Sequence, residues 1–178
     1  MNGAEQVLAH ARGHEPRLSS TRLICLDGPS GSGKTTLAGE IAAFSGATVV
    51  HTDELLEGWD GLPALPAALQ ALLGPLAEGS TGRAPRYDWT QGRYAGEVVL
   101  EPVPLVVLDG VGSGARVLAG FTTTLVWLDG DVTLRRTRAL ERDGEDFRPH
   151  WEAWATAEQA YFASDDPAGR ADVTLHPC

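Results

Sequence analysis

Eight consecutive residues combine glycines, a lysine and a hydroxyl side chain at a spacing that suits phosphate binding. Residues 28–35 are Gly-Pro-Ser-Gly-Ser-Gly-Lys-Thr, between an apolar run and a segment with helical character. Glycines let backbone N–H groups curve around an anion, and the following helix adds its own N-terminal N–H groups. In such a loop, Lys34 reaches phosphate oxygens and the hydroxyl of Thr35 coordinates Mg²⁺. The residues expected to hold a nucleoside triphosphate are Gly28, Ser30, Gly31, Ser32, Gly33, Lys34, Thr35 and Thr36.

The lysine of this loop is the only lysine among the 14 basic residues of the chain. A compact ammonium on a flexible stem suits a phosphate cradle better than a planar guanidinium does. A guanine-reading Asn-Lys-x-Asp motif would need a second lysine, so the sequence excludes an ordinary GTPase. The Leu-Ser-Gly-Gly signature of transporter ATPases is also absent. These exclusions favour a small kinase.

Composition limits the partners that this loop serves. The formal net charge is −10, which disfavours a surface for nucleic acid because phosphate backbones attract basic faces. No apolar stretch approaches the length of a membrane span, and no signal-peptide pattern precedes the first strand. The cysteines at positions 25 and 178 have no metal-binding spacing. We therefore expect a cytoplasmic protein without a nucleic-acid or membrane partner.

Apolar runs that suit strands alternate with segments that suit helices. Strands are expected at residues 23–26, 48–50, 105–108, 125–128 and 173–175. Helices are expected at residues 35–44, 62–76, 132–142 and 150–162. This alternation predicts an α/β fold with three layers, α/β/α, and a parallel sheet of about five strands. The length favours a single domain over residues 1–178.

Three further segments have a less regular pattern. Residues 1–20 are expected to form an N-terminal helical extension, with a short helix at 4–12 that packs outside the core. Residues 79–101 are polar, with glycines and aromatics, and are expected to form an irregular excursion over a site. Residues from about 135 to 150 contain arginines on one helix face and are expected to form a short helical lid.

Two aspartates lie where a metal bound to the phosphates could be held. Asp109 ends the apolar run at 105–108, which is the position of a carboxylate that holds Mg²⁺ directly or through water. Because Asp-Gly at a strand end is also a common turn, a turn role for Asp109 stays open. Asp27 adjoins the loop, and either the same metal shell or a turn would account for it.

The order of these motifs resembles that of the uridine kinases, a group of small P-loop kinases. The resemblance runs from about residue 21 to the end and rests on residues 27–36, 53, 85–89, 109–110, 138, 142–143 and 170–172. It implies ATP and Mg²⁺ as cofactors, and phosphoryl transfer to a hydroxyl of a small molecule. The first of these motifs is specific for nucleotide binding, whereas the later ones are short.

The resemblance also implies roles for single residues. Asp53 would be the general base that takes the proton of the acceptor hydroxyl, at the sheet edge where open α/β sheets bind ligands. His51 and Glu54 are nearby competitors, and a helix-capping role for Asp53 stays open. The residues expected to border the acceptor are Asp53, Trp59, Tyr87, Asp88 and Trp89.

Arginines after the fourth strand complete the implied site. Arg138 and Arg142 would be the lid arginines that bring positive charge onto the transferred phosphoryl group, with Arg135 and Arg148 beside them. A solvated arginine face balanced by acidic neighbours is the alternative. For the aromatic residues, the alternative is a loop that is packed down by its own tyrosine and tryptophan.

The chain departs from the uridine kinase pattern at the positions that read the base. Gly92 stands where those enzymes have a histidine, Leu55 and Leu56 replace an aromatic pair, and Asp109 replaces a glutamate. A nucleoside remains the favoured acceptor, but another acceptor such as a sugar acid or an antibiotic hydroxyl stays open. So does a regulatory module that binds nucleotide without transferring phosphate.

Overall fold

The computed structural model describes residues 2–144 and 148–176, without the side chains of Leu140, Arg142 and Asp143. The strands are β1 Arg22–Asp27, β2 Thr48–His51, β3 Gly82–Asp88, β4 Arg93–Leu100, β5 Leu105–Asp109, β6 Thr124–Leu128 and β7 Val173–Leu175. The α-helices are α1 Gly3–Arg12, α2 Lys34–Ser45, α3 Leu65–Ala77, α4 Val132–Asp143, α5 Trp151–Asp165 and α6 Pro167–Arg170. Short 3₁₀ helices cover Thr52–Leu55, Leu62–Ala64, Arg116–Leu118 and Arg148–His150.

Five strands form one parallel sheet in the order β2-β5-β1-β6-β7. The central strand β1 alternates between two cores: Leu23 and Cys25 pack on one face, and Ile24 and Leu26 on the other. A strand buried on both faces needs a continuous apolar run, which is what residues 23–26 supply. The three-layer α/β fold with five parallel strands is thereby confirmed, whereas a single domain over residues 1–178 stays a prediction.

The N-terminal helix α1 packs inside the core, so the expectation that it lies outside the core was wrong. Its residues Ala4, Val7, Leu8 and Ala11 are at most 3% exposed and belong to the core that covers one sheet face. Asn2 starts the helix with a capping box: its side chain accepts from the N–H of Glu5, whose own side chain accepts from the N–H of Asn2. Small residues on one face let the helix approach α2 and the sheet closely.

Residues 79–101 do not form an irregular excursion. They contain the antiparallel hairpin of β3 and β4, in which Gly82 lies opposite Leu100 and Asp88 opposite Arg93. A Cβ at Gly82 would lie 1.9 Å from the carbonyl oxygen of Leu72 in α3, so the hairpin packs directly on that helix. The prolines and glycines of the segment hide the alternation that a longer strand would show, and contact with α3 decides the structure.

Strand register places the functional segments at one edge of the sheet. Asp109 at the end of β5 pairs with Leu26 of β1 on one side and with His51 of β2 on the other. Because the strands are parallel, their carboxyl ends meet there, and ligands of open α/β sheets bind in the crevice outside these ends. The loop of residues 28–35, Asp53 and Asp109 therefore begin from neighbouring strands.

Candidate phosphate-binding and acceptor site

The segment at residues 28–35, called the phosphate loop below, folds around the ammonium group of Lys34. The Lys34 side chain is buried, and its Nζ donates to the carbonyl oxygens of Gly28 at 2.7 Å and Pro29 at 2.9 Å. The hydroxyl of Ser32 lies 3.5 Å from the same nitrogen. The loop thus encloses one positive charge in a chain whose net charge is −10.

Two glycines of the phosphate loop are required by close backbone packing. Gly28 has φ +142°, and a Cβ there would lie 2.1 Å from the carbonyl oxygen of Leu128. Gly31 has φ +78°, and its Cβ would lie 2.1 Å from the carbonyl oxygen of Arg135 in α4. Any side chain at either position would meet backbone that cannot move aside, so β6 and α4 fix the path of the loop.

Helix α2 starts at the end of the phosphate loop without a side-chain cap. The residue before the helix is Gly33, with φ +95°, and it provides no side-chain cap. The hydroxyl-bearing residues Thr35 and Thr36 in the first turn are exposed. Uncapped N–H groups at a helix N-terminus attract anions, and the helix dipole adds to that attraction.

A cavity of about 480 Å³ adjoins this helix start. Its lining includes Gly33 and Thr36 from the loop and α2, Arg138 from α4, and Leu175 and His176 from the end of β7. The predicted lid arginine Arg138 therefore lies in the wall of a cavity beside the loop. The side chain of the second predicted lid arginine, Arg142, falls outside the described part of the structure, as do residues 145–147 of the expected lid.

Asp109 is buried at the sheet edge with one oxygen held and one oxygen open. Its Oδ2 lies 2.9 Å from Nδ1 of His51, and the side chain is 2% exposed. Its Oδ1 is buried without a hydrogen-bond partner among the described residues. The hydrogen bond to Asp109 raises the pKa of His51, because it stabilises the protonated ring. A buried carboxylate oxygen without a partner calls for a ligand.

That open oxygen fits a Mg²⁺ ion held mostly by a substrate. Within the described residues, no group of three or more His, Cys, Asp or Glu side chains forms a metal cluster. Magnesium commonly binds through one or two protein ligands, phosphate oxygens and waters, so it needs no such cluster. The open carboxylate oxygen of Asp109 and the exposed hydroxyl of Thr35 are the ligand types that it takes.

Asp27, the other candidate for the metal, is committed to the structure instead. Its carboxylate accepts from the N–H groups of Gly28 at 2.7 Å and Gly114 at 2.7 Å, and from the hydroxyl of Tyr161 at 2.6 Å. Burial raises the pKa of Asp27, whereas these donors act in the opposite direction. The residue joins the start of the phosphate loop to the segment after β5, which corresponds to the turn role.

Asp53 lies in the 3₁₀ helix that follows β2, and the hairpin holds its backbone. The indole Nε1 of Trp89 donates to the carbonyl oxygen of Asp53 at 2.9 Å, and Arg86 pairs with Glu54 at 3.3 Å. The Asp53 residue itself is exposed. Its segment abuts the metal candidate, since a Cβ at Gly110 would lie 2.0 Å from the hydroxyl oxygen of Thr52. The role of Asp53 as general base stays a prediction.

Aromatic rings gather beside Asp53 in what we call the aromatic cluster: Trp59, Tyr87, Trp89, Tyr94 and His150. Trp59 stacks on His150 with centroids 5.0 Å apart and meets Trp89 edge-on at 4.8 Å. The aromatic residues predicted for the acceptor region, Trp59, Tyr87 and Trp89, are thus brought together. Their contact with an acceptor stays a prediction.

Asp88, the remaining acceptor candidate, caps the turn of the hairpin. Its Oδ1 accepts from the N–H groups of Thr90 and Gln91, each at 2.9 Å, and its Oδ2 accepts from the amide of Gln91. The N–H of Gln91 lowers the pKa of Asp88 by stabilising its charged form. Asp88 therefore has a structural role in an Asx-type turn, which is a common role for aspartate at this position of a turn.

Two residues that bear on the phosphate loop were missed by the sequence analysis. Glu158 in α5 accepts from both the N–H and the hydroxyl of Ser30, and the indole of Trp154 donates to the same carboxylate. Both lie more than 120 positions from Ser30 in the chain. The only sequence signal is a polar residue one helical turn after a tryptophan, which is common on solvated helix faces.

Comparison with known proteins gives partial matches. No family model matches the chain. It is 30% identical over 168 residues to the tRNA dimethylallyltransferase of Phenylobacterium zucineum (strain HLK1), a match over 85% of the chain and 49% of that protein. It is 28% identical over 151 residues to the uridine kinase of Lactobacillus helveticus (strain DPC 4571), over 71% of the chain and 70% of that protein. The chain therefore spans about half of the first relative.

Solved structures share the fold over nearly the full chain. A possible uridine kinase from Bacillus stearothermophilus superposes with a TM-score of 0.60 at 20% identity, covering 87% of this chain and 88% of that one. A proposed fructose transport system kinase from Silicibacter sp. TM1040 gives 0.63 at 22% identity, covering 98% and 99%.

The sheet, the phosphate loop and the uncapped start of α2 define a P-loop protein with the fold of the small kinases. The chain thus has the fold of the P-loop kinases and is similar in sequence to a uridine kinase, which agrees with the resemblance seen in the sequence. Within residues 2–144 and 148–176, no helix is long and apolar enough to cross a bilayer.

Proposed function

We propose that the protein is an ATP- and Mg²⁺-dependent kinase that transfers the γ-phosphoryl group to a hydroxyl of a small molecule, with a nucleoside as the favoured acceptor. One observation carries the proposal: the phosphate loop, the open oxygen of Asp109 and the Asp53 segment all follow neighbouring strands at one edge of the sheet. Phosphoryl transfer needs these three elements together, because catalysis depends on positioning and on charge stabilisation.

The nucleotide would lie along the phosphate loop with its phosphates at the start of α2. Residues 31 and 33–36 would supply backbone N–H groups, because the N–H groups of Gly28, Ser30 and Ser32 already donate within the protein. Lys34 would donate to the β- and γ-phosphate oxygens. The cavity beside Gly33 and Thr36 would take the rest of the nucleotide. Arg138 in the wall of this cavity would bring a guanidinium group close to the phosphates or the base. It would thereby act as one of the proposed lid arginines.

Thr35 and Asp109 would hold the metal. Mg²⁺ held by these ligands would neutralise part of the charge of the phosphates. His51 keeps the Asp109 carboxylate in orientation through Oδ2, and Oδ1 stays directed away from that hydrogen bond. An outer partner that orients a metal-binding carboxylate supports affinity in metal sites generally.

Asp53 would accept the proton of the acceptor hydroxyl as that oxygen attacks the γ-phosphorus. Asp53 is exposed in a segment that also contains buried residues, and its backbone carbonyl accepts from Trp89, so the residue can meet a ligand from a backbone that is held in place. A general base of this kind contributes about 10²–10⁴-fold in rate. Trp59 and Tyr87 would offer ring faces to the acceptor beside it.

Two acceptor classes compete for this site. A nucleoside is favoured by the similarity to the uridine kinase and by the aromatic cluster, since planar bases stack on aromatic rings. A sugar is favoured by the fold match over nearly the full length of the proposed fructose transport system kinase. Leu55 and Leu56 occupy the positions of the aromatic pair that uridine kinases place near the base. Both leucines are buried in the core, so neither takes over the contact of that pair with a base.

Dimethylallyl transfer to tRNA is a less suitable function, although a relative with that name matches 85% of the chain. The net charge of −10 opposes binding of a polyanion, and the chain spans about half of that relative. A regulatory module that binds nucleotide without transfer is the remaining alternative. It would need neither a base at position 53 nor an arginine lid.

The test is release of ADP in the presence of Mg²⁺ and ATP, with nucleosides, sugars, sugar acids and antibiotics offered in turn as acceptors. Asp53→Asn keeps the shape of the side chain, so nucleotide affinity should stay within about threefold while turnover falls at least ~100-fold. Asp60→Asn, which neutralises an exposed carboxylate in the next loop, is the matched control and should stay active.

A helix-capping role for Asp53 predicts a different result. Asn caps about as well as Asp, so both stability and turnover would survive the substitution. Tight ATP binding without transfer to any acceptor would instead favour the regulatory module.

A further inference from the structure

A carboxylate outside the predicted site is buried against the phosphate loop. Glu158 in α5 is 4% exposed, although glutamate is among the residue types least often buried. A carboxylate is buried at an acceptable cost only where donors surround it. The helix that carries it follows the expected lid region, and nothing in the chemistry proposed above uses it.

Three donors converge on one oxygen of this side chain. Oε1 of Glu158 accepts from the backbone N–H of Ser30 at 2.9 Å, the hydroxyl of Ser30 at 2.6 Å and the indole N–H of Trp154 at 2.7 Å. The indole nitrogen also lies 2.9 Å from the Ser30 hydroxyl oxygen. Trp154 and Glu158 are four residues apart, so they share one face of the helix.

The contact reaches Lys34 through a single peptide unit. The N–H of Ser30 and the carbonyl of Pro29 belong to the same peptide bond, which is planar and rigid. Glu158 accepts from the N–H end of that unit, and Nζ of Lys34 donates to its carbonyl end at 2.9 Å. Any rotation of this peptide plane would break both hydrogen bonds at once.

Other contacts hold the loop around this peptide. The N–H of Ser32 donates to the carbonyl oxygen of Pro29 at 3.2 Å, which secures the carbonyl end of the peptide but not its N–H end. Tyr161, on the same face of α5, donates to Asp27 just before the loop. Gly31, just after the peptide, packs against the backbone of Arg135. Glycine tolerates many conformations, so neither contact alone fixes the plane between Pro29 and Ser30.

We propose that Glu158 is a positioning residue for the nucleotide site: with Trp154, it fixes the Pro29–Ser30 peptide plane and thereby the place of the Lys34 ammonium. The proposal rests on the nucleotide-binding function proposed above for the same loop. Glu158 touches neither nucleotide nor acceptor in this scheme. It acts through hydrogen bonds to the loop, so an uncharged acceptor of the same length replaces most of its effect.

Three substitutions separate this role from a charge effect and from general stability. Glu158→Gln keeps a carbonyl oxygen at the same reach, Glu158→Ala removes the acceptor, and Glu152→Gln neutralises an exposed glutamate on the same helix as a control. We expect Glu158→Ala to lower kcat/KM for ATP at least ~10-fold, the usual effect of losing hydrogen bonds to a charged group. The Gln variant should stay within about threefold of the parent, and the control should be unchanged.

Hydrogen exchange of the ligand-free protein tests the same contact without any turnover. In Glu158→Ala, amides of residues 30–34 should exchange at least ~10-fold faster, whereas those of β1 and β6 keep the parental rate. This measurement still applies if the parent protein binds no nucleotide, a result that would reject the proposed function but leave the positioning role in place. If Glu158→Ala does not fold, the exchange and kinetics of Trp154→Phe decide.

Several outcomes would overturn the proposal. Unchanged exchange at residues 30–34 in a folded Glu158→Ala protein would show that the peptide plane is held without the carboxylate. A Gln variant as impaired as the Ala variant would indicate that charge, and not hydrogen bonding, matters. Slower turnover in Glu152→Gln to the same extent would assign the effect to α5 in general. Where Ala fails to fold, Trp154→Phe decides, because the Gln variant is expected to be close to the parent: parental exchange at residues 30–34 and parental kinetics in Trp154→Phe would reject the proposal.

Discussion

Replacing Lys34 by methionine should lower kcat more than it lowers the affinity for ATP. The substitution keeps the unbranched side chain up to the position of Cε and removes the ammonium group. In the structure, Nζ donates to two loop carbonyl oxygens, so a phosphate group must compete with bonds that the protein already makes. The contribution of the lysine to affinity is therefore the difference between two sets of hydrogen bonds and is smaller than either.

The magnitudes follow from these contacts. Opposite charges about 4 Å apart attract by about 4 kcal/mol at the effective dielectric of a protein surface, and hydrogen bonds from a charged donor to the carbonyls offset about 1.5–3 kcal/mol of it. The remaining attraction, on the order of 1–2.5 kcal/mol, corresponds to a loss in ATP affinity of roughly 5- to 70-fold. Charge that develops on the transferred group adds a further loss of about 10²–10³-fold in kcat, as for other fixed donors.

The free energy of unfolding should also fall in Lys34→Met, although substitutions in loops commonly change stability little. Each lost bond from a charged donor costs about 1.5–3 kcal/mol, but the variant no longer buries an ammonium, so the net loss should be about 1–3 kcal/mol. Calorimetric titration with ATP·Mg²⁺, ADP release and urea unfolding on one preparation give all three quantities. Lys34→Arg keeps the charge in a shape that does not fit and should also lose turnover.

Two results would refute this reasoning. An affinity loss larger than the loss in kcat would mean that the carbonyls do not compete with phosphate for the ammonium. Parental turnover in Lys34→Met would remove the phosphate loop from the mechanism altogether.

Three further outcomes are expected. Arg138→Ala should weaken ATP binding roughly 10- to 150-fold in titrations, because its side chain lines the cavity beside the phosphate loop, and turnover should fall as well. Tyr161→Phe should lower the free energy of unfolding in urea by about 1–3 kcal/mol, since Asp27 loses a buried donor at 2.6 Å. Without nucleotide or metal, the hydrogen bond to Asp109 should stabilise the protein below the ordinary pKa of histidine, about 6.5, and this contribution should disappear as pH rises through the raised pKa of His51. His51→Gln should lack that slope in unfolding measured across pH.

Each of these has a control in the chain. Arg136→Ala removes an exposed arginine from the same helix, away from the cavity lining, and Tyr94→Phe removes a hydroxyl from a ring that is 42% exposed. Equal losses of ATP affinity in Arg136→Ala and Arg138→Ala would indicate that both arginines belong to a solvated helix face. Equal destabilisation in the two tyrosine variants would contradict a special role for the contact with Asp27. A pH slope that survives in His51→Gln would assign it to other groups.

The sequence by itself determined the elements whose causes are local. Residues 28–35 carry their chemistry in their own types and order, because glycines, one lysine and a threonine at fixed spacing need only a strand before them and a helix after them. The three central strands β1, β5 and β6 were recognisable as continuous apolar runs, because a strand that is covered on both faces is buried along its length. Asp109 was recognised as the residue that ends one of these runs.

Tertiary contacts decided the rest. The hairpin at Gly82–Asp88 and Arg93–Leu100 forms because it packs on α3, and α1 enters the core because its small residues fit against the sheet. Whether an aspartate serves a ligand or the fold depended on its neighbours: Asp27 is filled by donors from three separate segments, whereas Asp109 keeps one oxygen open. Glu158 meets Ser30 across 128 positions, and no local pattern encodes a hydrogen bond between residues that only the folded chain brings together.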